Sequence, residues 1–283
     1  MEHQLKKYLS LLRVKHYIKN FLIFLPLFFS GQIFDVNKLI RSVLGFMAFC
    51  MVSSAIYILN DYRDIDKDKN HPKKKHRPLA SGDIKPSVAL VIMVICLAIA
   101  IAISIYLKNI PAGISLLLYL VLNIAYSLGL KNVPIIDIAI LASGFVIRVF
   151  YGGFITDVVV SKWLYLVIIT GSLYMGLGKR KNELIASTDT REVLKHYNKN
   201  FLDKNMYVCL ALTDVFYALW TFELPNDKIT WTIPLFIIIL MRYSLDVEGD
   251  SDGDPVEVIL HDKVLIALGL IYAVCIFVLL YWF

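Results

Sequence analysis

The chain has 283 residues, 58% of them apolar, with a mean hydropathy of +0.66 and a formal net charge of +6. Soluble domains carry about 45–50% apolar residues, so these values exclude an ordinary soluble globular protein and predict an all-α, polytopic membrane bundle. With no extramembranous stretch long enough to read nucleic acid, the basic excess suits anionic lipid headgroups or a polyanionic substrate.

Nine spans, each near the ~20 residues a bilayer requires, are predicted at 17–34, 38–60, 86–107, 111–130, 134–156, 162–179, 205–222, 230–246 and 263–282. They form a single transmembrane domain over 1–283, with cytoplasmic loops at 60–86 and 179–204. If the N-terminus is cytoplasmic, the opposite side carries only Lys38, Arg41, Lys108, Lys162 and Lys228. The positive-inside rule then orients the chain N-in, C-out. Cys50, Cys96, Cys209 and Cys275 all fall in apolar spans and show no CxxC spacing, so they read as small buried hydrophobes. No cleaved signal peptide is expected at the N-terminus.

In chain order, Leu5, Tyr8, Leu9 and Leu12 form one helical stripe, an interfacial start feeding the first span. Arg13, Lys15 and Lys19 follow. They read either as positive-inside anchors or, for Lys15 and Lys19 one turn apart, as cations aimed into a headgroup-level site. The second span becomes polar at Ser53, Ser54 and Tyr57 and runs into the most polar run of the chain, NDYRDIDKDKNHPKKKHRPLASG from Asn60 to Gly82. Asp61, Asp64 and Asp68 stand at i, i+3 and i+7, within roughly 60° on one helix face. Three carboxylates on one face repel unless a cation lies between them. Hard oxygen ligands suit Mg²⁺ carrying substrate phosphates. Lys73, Lys74, Lys75 and Arg77 suit phosphate oxygens, or simply a basic cytoplasmic loop. His71 and His76 read as turn or phosphate contacts rather than metal ligands.

Tyr126, Ser127 and Lys131 return to the cytoplasmic face. In the fifth span Asp137 and Arg148 share a face but lie ~16 Å apart, too far to pair. Arg148 is too deep to snorkel, so it faces the interior and contacts a neighbouring acid or a substrate phosphate. Gly144, Gly152 and Gly153 predict close helix packing. Lys179, Arg180 and Lys181 at the end of the sixth span serve the helix dipole or form a second phosphate clamp, and a helix is expected over 189–200. The acidic run DVEGDSDGDPVE fails the EF-hand pattern, because Pro255 stands where Gly is needed and His261 where Glu is needed.

Taken together, these residues resemble the UbiA superfamily of intramembrane prenyltransferases, whose hallmark NDxxDxxxD matches Asn60-Asp61 through Asp64 to Asp68. The second aspartate motif of that superfamily is replaced here by GKRKNE, with Glu183 its only acid. That departure is similar to the decaprenyl-phosphate phosphoribosyltransferase branch, as are RVKHYIKN, HPKKKHRPLASG, YSLGLKNVPIIDIAILASGFVIRVFYGG, GSLYMGLGKRKNE, LWTFE and RYSLDVEGDSDGDP. The resemblance implies a Mg²⁺-dependent phosphoribosyltransferase of the plasma membrane, making a cell-envelope polysaccharide precursor from phosphoribosyl pyrophosphate and a polyprenyl phosphate lipid, and it allows a homo-oligomer. It implies that Lys15, Tyr57, Lys74 and Arg77 contact phosphoribosyl pyrophosphate. Asn60 and Asp64 are implied to hold Mg²⁺, with Asp61 and Asp68 in or near that shell. Candidates for the lipid phosphate are Lys19, Lys131, Arg148, Lys179 and Arg180. The competing readings are a prenyltransferase with an aromatic acceptor and a transporter. The missing second aspartate motif opposes the first, and the lack of a visible inverted repeat opposes the second.

Overall fold

The computed structural model describes residues 2–72, 74–186, 191–224, 226–249 and 255–282. Among these residues every regular element is helical. The chain opens with α1 (Glu2–Leu11), a 3₁₀ segment (Val14–Phe24) and α2 (Leu25–Phe29). Then come α3 (Val36–Arg63), α4 (Ile65–Lys69), α5 (Pro86–Leu107), α6 (Ile110–Leu128) and α7 (Ile136–Thr156). The remainder is α8 (Lys162–Ala186), α9 (Lys199–Glu223), α10 (Ile233–Glu248), α11 (Pro255–His261) and α12 (Lys263–Tyr281).

Six of the described helical stretches are long and apolar enough to cross a membrane: α3, α5, α6, α7, α10 with its preceding 3₁₀ turn, and α12. The predicted sixth and seventh spans correspond to α8 and α9, whose polar ends dilute their apolar character. The predicted first span differs most. It is a 3₁₀ segment followed by one short α-helix, so the nine predicted spans are an approximate count. The predicted loop 179–204 also starts later, because α8 continues to Ala186. In its polar last turns Arg180 and Lys181 form ion pairs. Lys73, residues 189–190 of the expected 189–200 helix, and the acidic positions Asp250, Asp252 and Asp254 lie outside the described residues, and the rest of that expected helix is a 3₁₀ turn at Glu192–His196 followed by the start of α9.

Local chemistry sets the ends. Asp35 caps α3 by accepting from Lys38 N at 3.1 Å, Asn198 caps α9 from Phe201 N at 2.8 Å, and Asp262 caps α12 from Val264 N at 2.8 Å, each satisfying an orphan first-turn donor. Pro86 opens α5, where a missing N–H costs nothing.

Contacts divide the chain into two compact units. The first comprises Met1–Leu27, Gln32–Ser127 and Phe150–Val158, and the second comprises Phe28–Gly31, Leu128–Val149 and Val159–Phe283. In the first, α3 packs along α5 and against the 3₁₀ segment. The same 3₁₀ segment also approaches α7 closely, which requires Gly152: a Cβ there would sit 2.0 Å from the Ile23 carbonyl oxygen. The face of α5 carrying Val91, Val94 and Ile105 is exposed, as suits contact with acyl chains. A small cluster of Leu11, Ile58, Leu79, Ile84 and Ala89 buries the far end of the polar loop against α1 and α3. In the second unit α8 lies along α9, around a core of Ile138, Tyr174, Leu202, Met206 and Val247.

Candidate active site

The polar end of α3 is assembled with the N-terminal segment. Arg13 adopts the left-handed region, φ 52 and ψ 46, at the turn from α1 into the 3₁₀ segment. That conformation is uncommon for a non-glycine residue and is held only when neighbours over-determine it. Here they do. The guanidinium lies 4.8 Å from the Tyr57 ring centroid, a cation–π contact, and Nη2 donates to Asp61 Oδ1 at 2.5 Å. Further along, Ser54 Oγ donates to the Leu12 carbonyl at 2.8 Å. Tyr17 OH pairs with Ser54 Oγ at 2.7 Å, and buried Asn20 donates to Cys50 Sγ at 3.1 Å.

The 3₁₀ geometry corrects the expectation that Lys15 and Lys19 point together. At three residues per turn, positions three apart eclipse and positions four apart diverge by about 120°. His16 and Lys19 therefore share a face. Lys15 is exposed while Lys19 is half-buried, and the His16 ring lies 5.5 Å from that of Tyr57.

The three aspartates do not ride one unbroken helix. α3 ends at Arg63, Asp64 sits at φ −98 and ψ 10, and α4 restarts at Ile65. The turn is closed by Asp64 N–H donating to the Asn60 carbonyl at 3.0 Å and Asp68 N–H to the Asp64 carbonyl at 2.7 Å. Asp61 and Asp68 are both buried, at 3% exposure, and Arg77 joins them. Its Nη1 donates to Asp68 Oδ2 at 2.6 Å and to Asp61 Oδ1 at 3.1 Å. Asp64 is half-buried, and the Asn60 side-chain oxygen accepts from Ser127 Oγ.

Among the described residues no three His, Cys, Asp or Glu side chains come together as a metal cage. Of the expected set of Asn60, Asp61, Asp64 and Asp68, Asp61 and Asp68 face arginines. The donor chemistry still fits a hard divalent cation that shares its shell with substrate phosphates, which takes only one or two protein carboxylates.

The loop carrying Arg77 is tied by hydrogen bonds. Arg77 N–H donates to the Lys74 carbonyl at 3.0 Å, and Ser81 N–H to the Arg77 carbonyl at 2.8 Å. Lys74 N–H donates to His71 Nδ1 at 3.3 Å, which gives His71 the turn role expected of it. Gly82 takes φ +80. Asp83 accepts from Lys7 Nζ at 2.5 Å, tying the loop back to α1.

In the second unit Arg180 and Lys181 of α8 are committed to acids. Arg180 is fully buried, donating from Nε to Asp137 Oδ2 at 2.5 Å and from Nη1 to Glu183 Oε2 at 2.6 Å. Tyr197 OH donates to the other Asp137 oxygen at 2.6 Å and accepts from Ile135 N–H at 2.6 Å. Burial, and then the neighbouring Asp137 carboxylate, push the Tyr197 phenol up to about 12. Lys181 pairs with Asp203 at 2.6 Å and with Glu248 at 2.5 Å. Lys131 and Lys179 are half-buried. Arg148, 5% exposed, donates from Nη1 to the Gly144 carbonyl at 2.6 Å, so it faces the interior as its depth requires.

The model of the UbiA prenyltransferase family matches residues 21–199. The chain is 33% identical to decaprenyl-phosphate phosphoribosyltransferase of Corynebacterium glutamicum, with 95% of this chain and 85% of that protein covered. It is 30% identical to the protein of the same name from Mycobacterium tuberculosis, covering 92% and 89%. The chain belongs to the UbiA prenyltransferase family. The fold agrees: a UbiA homolog from Archaeoglobus fulgidus bound to DMAPP and Mg²⁺ superposes with a TM-score of 0.74 at 20% identity, over 96% of this chain and 99% of that one. A UbiA protein with six helices of spanning length and apolarity is an integral membrane protein.

Of the residues singled out by sequence, the structure brings Tyr57, Asp61, Asp68 and Arg77 together within the first unit. Lys131, Arg148, Lys179 and Arg180 belong to the second unit. Arg180 and Lys181 differ from free phosphate-clamp residues, because buried Asp137 holds the first and the more exposed Asp203 and Glu248 hold the second. Arg13 was missed as a site residue. Its sequence signal was its place ahead of Lys15 and Lys19, which basic anchoring explained equally well.

Proposed function

We propose that this UbiA protein transfers 5-phosphoribosyl from phosphoribosyl pyrophosphate to a polyprenyl phosphate, on the cytoplasmic face of the plasma membrane, to make a cell-envelope polysaccharide precursor. The observation that carries the reading is likeness over nearly the full chain to proteins named decaprenyl-phosphate phosphoribosyltransferase. The last turns of α8 support it. Where a prenyl-diphosphate enzyme needs a second acidic motif, this chain has Lys179, Arg180 and Lys181, with Glu183 as the only acid.

In this reading a phosphate oxygen of the lipid attacks C1 of the ribosyl group, the C1–O bond to diphosphate breaks, and diphosphate departs with the bonding pair. Configuration at C1 inverts. The nucleophile is already anionic, so no proton has to be removed and no strong general base is required. Mg²⁺, when bound, neutralises charge developing on the leaving diphosphate. Asn60 and Asp64 would hold it, with Asp61 and Asp68 in or near the shell. Lys15, Lys74 and Arg77 bind the donor's phosphates, and Tyr57 lies alongside. Lys19, Lys131, Arg148 and Lys179 are the candidates for the lipid phosphate. Arg180 joins them by sequence, but its acids suit it to fixing α8 against α7. The N-terminus lies inside and the C-terminus outside.

The test is purified protein in detergent with labelled phosphoribosyl pyrophosphate and polyprenyl phosphate, with and without Mg²⁺. Metal-dependent appearance of label in the lipid is expected. No transfer to lipid phosphate, together with prenylation of an aromatic acceptor from a prenyl diphosphate, would replace this reading with ordinary prenyl transfer.

A further inference from the structure

Four charges at the end of α3 balance. Asp61 and Asp68 are buried, and Arg13 and Arg77 neutralise them. The two arginines are held differently. Arg13 is locked by its left-handed backbone and by the Tyr57 ring 4.8 Å away. Arg77 stands on a loop with its side chain 28% exposed. Its backbone is anchored on both sides by the Lys74 and Ser81 hydrogen bonds, and Leu79 is buried in the cluster beneath. The guanidinium can therefore swing while the loop stays in place.

A bare divalent cation approaching Asp61 and Asp68 meets two carboxylates already compensated and two guanidiniums that repel it. A cation arriving with a polyphosphate differs in one respect: it brings anionic oxygens to which Arg77 can transfer its fork of donors. Arg13 would remain on Asp61 and the incoming cation would take the place of Arg77 at Asp68, so that no buried carboxylate is left uncompensated, which is the costly outcome. We propose that Arg77 is an exchangeable counter-ion, closing Asp61 and Asp68 to metal alone and releasing them only to metal and anionic donor together. The metal–donor reading above is assumed here. What is added is an order of events, in which metal and donor bind as one and neither precedes the other.

The role predicts opposite signs for one substitution. Mn²⁺ binding to the purified full chain in detergent is measured by electron paramagnetic resonance, first with Mn²⁺ alone and then with phosphoribosyl pyrophosphate. Arg77→Gln should bind Mn²⁺ alone roughly tenfold or more tighter than wild type, and should bind the metal–donor pair more weakly. A gain of affinity cannot come from misfolding. The double variant Arg77→Gln, Asp68→Asn should lose the gain, which assigns it to this site. Unchanged or weaker binding of Mn²⁺ alone by Arg77→Gln overturns the proposal, as does a gain that survives in the double variant. Wild-type transfer activity reports separately on the function: transfer without the Mn²⁺ gain removes only the counter-ion role, and the gain without transfer removes only the reaction.

Discussion

Asp64 and Tyr197 show how single side chains can be separated from the backbone around them. The turn at Asp64 is closed by main-chain bonds to Asn60 and from Asp68, so Asp64→Asn should leave the protein folded and extractable. As a proposed metal ligand its loss removes several kcal/mol of charge stabilisation, or at least about 100-fold in turnover. Near-normal activity at limiting Mg²⁺ would refute the assignment. Tyr197, outside the spans, donates to Asp137 and accepts from Ile135 N–H, while Ile135 itself is at φ 68, a strained value for a β-branched residue. Tyr197→Phe should cost about 1–3 kcal/mol, read as a lower Tm in detergent. The phenol's folded value, about 12, lies above the ordinary 10. Its contribution is therefore fully present below pH 10 and lost as pH rises through 12. The Tm gap between wild type and Tyr197→Phe should close over that window, and a gap constant to pH 12 would count against the bond.

At the scale of elements, the approach of the 3₁₀ segment to the last turns of α7 depends on one missing Cβ. Gly152→Ala would place that atom 2.0 Å from the Ile23 carbonyl oxygen. Backbone cannot rotate aside as a side chain can, so the change should cost about 3 kcal/mol, the upper end of overpacking. Gly176→Ala is the comparison: its Cβ would meet Ile138 Cγ2 at 2.8 Å, the tip of a side chain that has other rotamers. Thermal scans of the two variants should give the larger Tm loss at Gly152, and the reverse order would contradict the packing. Because the same 3₁₀ segment presents Arg13 to Asp61, Gly152→Ala should also lower transfer activity in the protein that stays folded.

For the whole molecule, the proposed orientation makes a prediction of its own. Cysteines introduced one at a time at Ser81, in the polar loop, and at Lys228, in the turn before α10, should label from opposite sides of sealed vesicles. Ser81 should react only from the cytoplasmic face and Lys228 only from the other. Labelling of both from one side would refute the orientation.

Hydropathy along the chain was enough to determine a polytopic helical membrane protein, because burial in lipid is a property of each segment's own composition. NDxxDxxxD at the end of an apolar run likewise marked the UbiA likeness and supplied the acids of the proposed site. The tertiary structure decided the rest. That Lys15 and Lys19 diverge follows from a 3₁₀ geometry selected by packing on α3. That Arg13 pairs with Asp61, and that Arg180 is held by Asp137 across 43 residues of sequence, depends on which charges fold next to each other. A cation in the sequence looks the same whether its partner is a bound phosphate or a buried carboxylate on another helix. Only the packed chain distinguishes them, because the desolvation that makes such a pair matter exists only once the helices have come together.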